Sequence, residues 1–309
     1  MSKIFITGHK NPDTDSICSA LGYAALKRSQ GVEAVAVRLG SISKETQYAL
    51  DFFQAEAPEL IQSAEAKQPV ILVDHNEPAQ SVDGLTEAEL LEIVDHHRLG
   101  GLNTANPIFV HIEPVGCTAT IIAGMFECRK AELSKKIAGV LLSAIISDTV
   151  LFKSPTCTEK DKKAAEKLAG IAGVDLQEYG MAMLKAGADL GDLTPAQIVR
   201  TDSKPFSFGS YKAIVSQISV MDTTDILAQK NELTAAMQEL CAAEGYDLAL
   251  LMVTDIMEES SELVFVGEPK QLIADAFGKD ASGDSIYLPG VMSRKKQIVP
   301  QLTEAAAKL

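Results

Sequence analysis

The stretch GHKNPDTDS, residues 8–16, directly follows the apolar run at residues 4–6 and precedes a segment with helical spacing. It places one histidine and two aspartates at the point where a predicted strand is followed by a helix. We expect Thr14 or Ser16 to cap that helix, because hydroxyl side chains accept hydrogen bonds from the first backbone N–H groups. A lone aspartate here is equally well explained as a cap or a turn residue, so the function of this stretch depends on the rest of the chain.

Strand-like and helical segments alternate through the first half of the chain. Apolar runs predict strands over 3–7, 32–38, 70–73, 93–94 and 108–112, and helical spacing predicts helices over 18–29, 45–53, 87–91, 118–127, 134–146 and 159–172. This alternation is typical of an α/β fold with a doubly wound, mostly parallel sheet.

The chain is long for one hydrophobic core, since 309 residues lie near the size at which chains divide into domains. The sequence AGADLGDLTP at 186–195 interrupts the periodic segments, and we predict a first domain at 1–188, a linker at 189–195 and a second domain at 196–309. The second domain has predicted strands over 212–220, 248–253 and 262–266 and helices over 224–241, 271–277 and 299–309, with Asp222 or Thr223 capping helix 224–241. This pattern indicates a smaller, mixed-sheet α/β domain.

The composition argues against nucleic-acid and membrane partners. Lys and Arg number 28 against 42 Asp and Glu, the net charge is −14, and aromatic residues make up only 5%. Nucleic acids and anionic membranes select basic surfaces, and base stacking uses aromatic side chains. No signal peptide is visible, and the longest apolar stretch, 140–146, is about half the ~20 residues of a membrane span. The five cysteines form no CxxC pair, so we expect reduced, buried thiols in a cytoplasmic protein.

Acids and histidines follow three predicted strands and one predicted helix. They are His9, Asp13 and Asp15 after the first strand, Asp74 after 70–73, Asp95, His96 and His97 after 93–94, and Asp148 after the helix that begins at 134. Because ligands bind beyond the carboxyl ends of strands in an open parallel sheet, we expect these side chains to meet in one crevice. Crowded carboxylates repel one another unless cations lie among them. A set rich in carboxylates suits Mn²⁺ or Mg²⁺, and a bridging aspartate would allow two ions.

Six short motifs resemble those of known families. GHKNPDTDS at 8–16, VDHNE at 73–77, VDHH at 94–97 and SDT at 147–149 resemble the DHH phosphoesterase superfamily. LLSAIISDTVLFKSPTCT at 141–158 and SRKK at 293–296 resemble a family II, manganese-dependent inorganic pyrophosphatase. The resemblance extends over the whole chain. It implies a DHH-type catalytic domain, a DHH-associated second domain, and hydrolysis of pyrophosphate to two orthophosphates by a cytoplasmic homodimer joined through the first domain.

The resemblance also implies a set of metal-binding residues. One metal would be held by His9, Asp13 and Asp74, and the second by Asp15, Asp74, His96 and Asp148. Asp74 bridges the two. The family uses two Mn²⁺ per subunit, with Co²⁺ as a substitute and Mg²⁺ accompanying the substrate.

The implied substrate-binding residues are His97, Lys204, Arg294 and Lys295. Substrate would lie between the metals of the first domain and the cations of the second, and a metal-bridged hydroxide would attack one phosphorus. The resemblance makes His97, Asp15 and Asp74 the catalytic residues. Asp95 is expected to orient His96 or another ligand.

Two alternatives stay open at this point. The first is a DHH-type phosphodiesterase acting on short oligonucleotides or cyclic dinucleotides, which would carry a GGGH-type motif in its second domain. Here Gly100 and Gly101 are followed by Leu102 in the first domain, and the acidic charge also counts against it. The second is a regulatory module that binds phosphate without turnover, which we would expect to have lost a metal ligand. All six implied ligand positions hold competent side chains.

Overall fold

The computed structural model describes residues 3–188, 191 and 193–308. The chain divides into two compact units, residues 1–186 and 187–309. Residues 189, 190 and 192 of the predicted linker lie outside the described residues, so the linker stays a prediction.

The first unit contains a six-stranded sheet in which every pair of neighbouring strands is parallel. Its strands are β1 (Ile4–Thr7), β2 (Ala34–Arg38), β3 (Glu59–Leu60), β4 (Pro69–Val73), β5 (Glu89–Asp95) and β6 (Phe109–Ile112). They lie in the order β3-β2-β1-β4-β5-β6. The chain winds outward in both directions from β1 and β4, and this reversal is the point at which such sheets bind ligands.

Among the described residues, six α-helices lie in this unit, the last of them ending just beyond it. They are α1 (Thr14–Ser29), α2 (Lys44–Phe52), α3 (Thr118–Cys128), α4 (Lys135–Thr149), α5 (Glu159–Ala172) and α6 (Leu176–Ala188). Every residue of α4 from Ala138 to Ile146 is buried, because α4 packs between α1 and α5. Asp148, a predicted metal ligand, therefore lies near the end of a helix whose position is fixed by its packing.

Two local predictions for the first unit are wrong. Residues 87–91 were expected to be helical, but β5 begins at Glu89 and pairs with β4, so sheet pairing overrides the helix propensity of Glu and Leu. The N-cap of α1 is Asp13, whose Oδ1 accepts from the Ser16 backbone N–H at 2.9 Å. The hydroxyls of Thr14 and Ser16 do not cap the helix because they donate to other carboxylates.

The second unit is built on a mixed five-stranded sheet in the order β11-β10-β9-β8-β7. Its strands are β7 (Lys204–Phe208), β8 (Tyr211–Val220), β9 (Leu248–Asp255), β10 (Ser260–Gly267) and β11 (Ser285–Pro289). Only the pairing of β8 with β9 is parallel. Its helices are α7 (Pro195–Ile198), α8 (Thr224–Ala228), α9 (Lys230–Glu244), α10 (Lys270–Phe277) and α11 (Val299–Ala306). All of β9 is buried, with an apolar cluster on each side of the sheet.

Other expectations need correction as well. The predicted helix 224–241 is two helices that meet at Gln229, and apolar spacing could not reveal the break because Ile226 and Leu233 pack into the same core. Thr223 is the N-cap of α8 but makes no side-chain cap bond, whereas Asp222 accepts from the Thr224 backbone N–H. The last predicted helix ends at Ala306, and residue 309 lies outside the described residues.

The thiols are less uniformly buried than expected. Cys18 and Cys117 are buried, whereas Cys128 is exposed and Cys157 and Cys241 are half-buried. Among the described residues, no helix combines the length and apolar character needed to cross a bilayer.

Candidate metal centre

The predicted metal-binding side chains lie together beyond the carboxyl ends of β1, β4 and β5. Three groups bring their ligand atoms within 4.8 Å of one another: His9 with Asp13 and Asp74, Asp15 with His96 and Asp148, and Asp74 with His96 and His97. All six residues predicted as metal ligands belong to these groups, and the third group adds His97. The reversal point of the sheet therefore carries the ligand-type side chains.

The loop from β1 to α1 folds closely against its own helix. A Cβ atom at Gly8 would lie 2.5 Å from Ser16 Cβ, so a larger residue would force the loop away. The close approach lets the His9 backbone N–H donate to Ser16 Oγ at 3.3 Å. Asp13 caps α1 through Oδ1, while its Oδ2 lies 3.3 Å from His9 Nε2. One aspartate is thus both a helix cap and a candidate ligand.

Asp74 lies at the centre of the site. It follows β4 with a φ of 61°, a left-handed conformation that is uncommon outside glycine, and it is 1% exposed. Its Oδ2 accepts from Ser16 Oγ at 2.8 Å and lies 3.5 Å from His9 Nε2. Its Oδ1 lies 3.5 Å from His96 Nε2. The two oxygens of one carboxylate therefore face two different imidazoles, as a carboxylate bridging two cations would need.

Backbone carbonyls set the tautomers of two histidines. His9 Nδ1 lies 2.7 Å from the Lys10 carbonyl oxygen, and His96 Nδ1 lies 3.1 Å from that of Val115. A carbonyl oxygen only accepts, so Nδ1 carries the proton in both rings. The Nε2 lone pairs are then directed toward the carboxylates, and Asp74 and Asp148 lie 3.5 and 3.6 Å from His96 Nε2. This is the usual orientation of metal-binding histidines.

The start of α3 holds Asp15, which is fully buried. The backbone N–H of Thr118 donates to Asp15 Oδ2 at 2.7 Å, and that of Ala119 donates to Oδ1 at 3.2 Å. Ser19 Oγ donates to Oδ1 at 2.6 Å. Two of these hydrogen bonds satisfy backbone N–H groups at the start of α3, and all three fix the Asp15 carboxylate in place.

Asp95 orients the neighbouring His97 ring. Asp95 Oδ1 accepts from the backbone N–H groups of His96 and His97 at 2.7 and 3.0 Å, and His97 Nδ1 lies 2.9 Å from it. Burial alone would raise the pKa of Asp95, but the hydrogen bonds from His97 and Asn76 outweigh burial and hold the pKa well below its usual range. The sequence-based expectation named His96 or another ligand, and the ring that Asp95 contacts is His97.

The electrostatics of the site fit divalent cations. Burial, followed by the nearby carboxylates of Asp15 and Asp13, raises the pKa of Asp74 well above its ordinary value. Cations among these groups would remove the repulsion. The donor atoms are oxygen and nitrogen, and burial and Asp15 raise the pKa of the adjacent Cys117 thiol, which disfavours a thiolate ligand. The residues present therefore suit hard or intermediate ions such as Mn²⁺.

The predicted phosphate-binding cations belong to the second unit. Lys204 is the first residue of β7 and pairs with Val215 of β8 in the antiparallel ladder. Arg294 is buried and begins a short π-helix, Arg294–Ile298, while Lys295 is exposed. Arg294 Nη1 donates to the Val215 carbonyl oxygen at 3.0 Å. Lys204 and Arg294 therefore both lie next to Val215.

Sequence reasoning missed several residues that support the centre. Ser16 was taken for a helix cap, yet its hydroxyl contacts Asp74. Thr118 begins α3 and donates to Asp74 Oδ1 at 3.4 Å. Glu45 of α2 accepts hydrogen bonds from Thr14 and Ser147, the neighbours of the candidate ligands. No spacing rule could have found Glu45, because its partners lie 31 and 102 residues away.

The parallel sheet gathers carboxylates and imidazoles at its reversal point, and known family models match both parts of the chain. The family model described as "DHH family, N-terminal domain" matches residues 3–145, and the "DHHA2 domain" matches residues 181–305. Both matches agree with the resemblance and with the two units of the structure.

The full-length relatives narrow the class to one family. The manganese-dependent inorganic pyrophosphatase of Bacillus subtilis (strain 168) is 48% identical over 309 residues, which cover 100% of both chains. The crystal structure of a Methanococcus jannaschii protein assigned to family II inorganic pyrophosphatases has a TM-score of 0.87 at 44% identity, covering 98% of this chain and 99% of that one. The chain belongs to the family of manganese-dependent inorganic pyrophosphatases, and both the resemblance and the predicted fold class are confirmed.

Proposed function

We propose that the chain hydrolyses inorganic pyrophosphate to two orthophosphates at the carboxylate–imidazole centre of its first unit. The observation that carries the proposal is that Asp74 is shared by two groups of ligand-type side chains, one with His9 and Asp13 and one with His96 and His97. The similarity to the manganese-dependent inorganic pyrophosphatase of Bacillus subtilis supports the choice of pyrophosphate as substrate and manganese as metal.

The chain would hold two Mn²⁺ ions per subunit. His9, Asp13 and Asp74 would bind one, and Asp15, Asp74, His96 and Asp148 would bind the other. When bound, such a pair of cations lowers the pKa of water toward neutrality and offsets charge on phosphoryl oxygens. The pair, the substitution by Co²⁺ and the arrival of Mg²⁺ with substrate stay predictions from the resemblance.

His97 has a separate role in the proposed reaction. It is 30% exposed, and its Nδ1 is held 2.9 Å from the Asp95 carboxylate. When the His97 ring is protonated, its second N–H can donate to a phosphoryl oxygen as negative charge develops on it. Asp15 and Asp74 would act by fixing the cations against which the substrate is placed.

Lys204, Arg294 and Lys295 would supply positive charge for a substrate with up to four negative charges. The two lysine ammonium groups would act as point charges, and Arg294, whose terminal nitrogens donate to Asp202 and Val215, would contribute through its positive charge. These local cations allow a chain of net charge −14 to bind an anion. That the substrate contacts residues of both units stays a prediction.

We also propose a homodimer joined through the first unit. β6 forms one edge of the parallel sheet, and Phe109 and Val110 on it are each nearly half exposed. An apolar edge strand with unpaired backbone groups is a template for pairing with another strand, including its own copy.

The test of the proposed function is phosphate release. Metal-depleted protein is supplied with Mn²⁺, Co²⁺ or Mg²⁺ in turn, and pyrophosphate is compared with a linear and a cyclic dinucleotide. We expect rapid release from pyrophosphate with Mn²⁺ and negligible cleavage of either dinucleotide. Preferential dinucleotide cleavage would instead support a phosphodiesterase, and binding of pyrophosphate without turnover would support a regulatory module.

A further inference from the structure

Arg294 is held by Asp202, a residue to which the sequence assigns no role. Arg294 Nη2 donates to both carboxylate oxygens of Asp202 at 2.9 Å, and Nη1 donates to the Asp202 backbone carbonyl oxygen. Nη1 also donates to the Val215 carbonyl oxygen at 3.0 Å. Both terminal nitrogens of a buried guanidinium are therefore engaged within the second unit.

The backbone at Asp202 is shaped for this contact. Its φ of 39° lies in the left-handed region, which aspartate and asparagine tolerate better than most residues. In this conformation the side chain and the backbone carbonyl of one residue both accept from the same guanidinium. A planar guanidinium fits such a set of acceptors, which a lysine ammonium would not.

The contact joins the two segments that carry the predicted phosphate-binding cations. Asp202 lies two residues before Lys204, and Arg294 lies directly before Lys295. Arg294 also bonds to Val215, which lies opposite Lys204 in the ladder between β7 and β8. The aspartate–arginine pair and this strand pairing thus both constrain the position of Lys204 relative to the segment 293–296.

Further hydrogen bonds lie within the second segment. Gln297 Oε1 accepts from the backbone N–H groups of Met292 and Ser293 at 2.9 and 3.0 Å, and Ser293 Oγ accepts from that of Lys296. These bonds shape the π-helix itself. Asp202 therefore ties the π-helical turn to the segment that leads into β7.

We infer that Asp202 is a positioning residue for pyrophosphate binding, which acts through Arg294 to fix the spacing between Lys204 and Lys295. The inference rests on the proposed function, since it assigns the cations to the substrate. Two cations whose backbone positions are held at a fixed spacing bind a two-phosphate anion with less ordering cost, so loosening them should weaken binding more than it slows chemistry. Asp202 itself need not touch the substrate.

The experiment compares D202N, D202E and wild type, each loaded with Mn²⁺. D202N keeps the left-handed backbone accessible but removes the charge that binds Arg294. We expect it to raise KM for pyrophosphate roughly tenfold with kcat changed less than about threefold, because the cations are displaced while the metal centre is intact. D202E restores the negative charge on a side chain that is one methylene longer, so its KM should lie between those of D202N and wild type. D280N is the matched control, since Asp280 is an exposed aspartate of the same unit that accepts hydrogen bonds from the nearby Ser282.

The results distinguish a role of Asp202 in positioning the cations from a role only in the stability of the fold. Manganese content and thermal unfolding are measured for every variant, and kinetics are taken where all are folded. A KM equal to that of wild type in D202N, or losses in kcat alone, would overturn the inference while leaving the proposed function standing. If D202N fails to fold, D202E decides the matter alone: a raised KM supports positioning and an unchanged KM overturns it. A wild type inactive on pyrophosphate would overturn the proposed function, and the inference with it.

Discussion

At the scale of one residue, the uncommon backbone conformation of Asp74 orients its carboxylate in the candidate metal centre. Its left-handed φ turns the carboxylate away from the strand direction, so that one oxygen faces His9 and the other faces His96. Such a conformation costs free energy in a non-glycine residue and persists only where surrounding contacts fix it. Here the contacts come from Ser16 and from the pairing of Asp74 N–H with the Val94 carbonyl oxygen.

We predict that D74A loses both manganese and turnover. Removing the shared carboxylate takes a ligand from both groups at once, so metal affinity should fall by more than the roughly 10–100-fold typical of supporting residues. Metal content after gel filtration and phosphate release with Mn²⁺ are the measurements. D51A is the matched control, because Asp51 is an exposed aspartate on α2. Near-normal hydrolysis by D74A would show that Asp74 does not bridge.

A second prediction concerns Glu45, which supports two candidate ligands indirectly. Its Oε1 accepts from Thr14 Oγ1 at 2.8 Å and from Ser147 Oγ. E45A should weaken manganese binding about tenfold, with saturating Mn²⁺ restoring most of the activity, since the ligands remain but are less well fixed. The dissociation constant for Mn²⁺ is compared with that of Q47A on the same helix. Unchanged affinity in E45A would make the contact purely structural.

At the scale of elements, the charged contacts that join the end of β6 to α5 should stabilise the fold to an extent that depends on pH. Glu113, just after β6, lies 2.7 Å from His111 Nε2 and pairs with Lys160 of α5. Partial burial would raise the pKa of Glu113, but Lys160 and His111 outweigh it and lower the pKa. Because the folded pKa lies below the unfolded one, this stabilisation is present above the unfolded value and is lost as the pH falls through the folded value.

E113Q should therefore be less stable than wild type near neutral pH and equally stable in acid. We expect a difference of about 0.5–1 kcal/mol at pH 7, since the pair is partly exposed and partly screened. Urea unfolding at pH 7 and at pH values below the folded pKa checks the sign. E166Q, an exposed change on α5, is the control. A difference that grows in acid would contradict the assignment.

The elements also show which parts of the fold a sequence can predict. The bounds of α5, 159–172, agree with the prediction because a capping box at Thr158 and Asp161 begins the helix and Gly173 ends it. β7 and β11 were missed, since their short apolar patterns are completed only by pairing with neighbouring strands. Segment 87–91 fits helix and strand equally well until β4 is placed beside it.

The same distinction between local and tertiary signals applies to the residues of the candidate site. Side chains directly after strands, such as His9, Asp74 and His96, are marked by their position, and the structure brings them together. Residues that act through others, such as Glu45 through Thr14 and Ser147 or Asp202 through Arg294, depend on contacts between distant segments. Their partners are fixed by tertiary packing and leave no periodic signal in the sequence.

At the scale of the whole molecule, the sheet of the first unit has two unlike edges. β3 forms one edge with only two residues, and short edge strands resist pairing with other chains. β6 forms the other edge with four residues, of which Phe109 and Val110 are exposed and apolar. The homodimer predicted from the sequence is therefore best placed at β6, where two copies related by a twofold axis would extend the sheet.

We predict that V110D converts a dimer into a monomer. A carboxylate facing its own copy across the twofold axis would lose hydration and repel, whereas in the isolated chain it stays in water because Val110 is 47% exposed. Sedimentation equilibrium should give twice the 33.0 kDa chain mass for wild type and a single chain mass for V110D. L60D places the same charge on the opposite edge, where Leu60 is 45% exposed, and should remain dimeric. Dissociation by L60D with a dimeric V110D would move the interface to β3, and a monomeric wild type would remove it altogether.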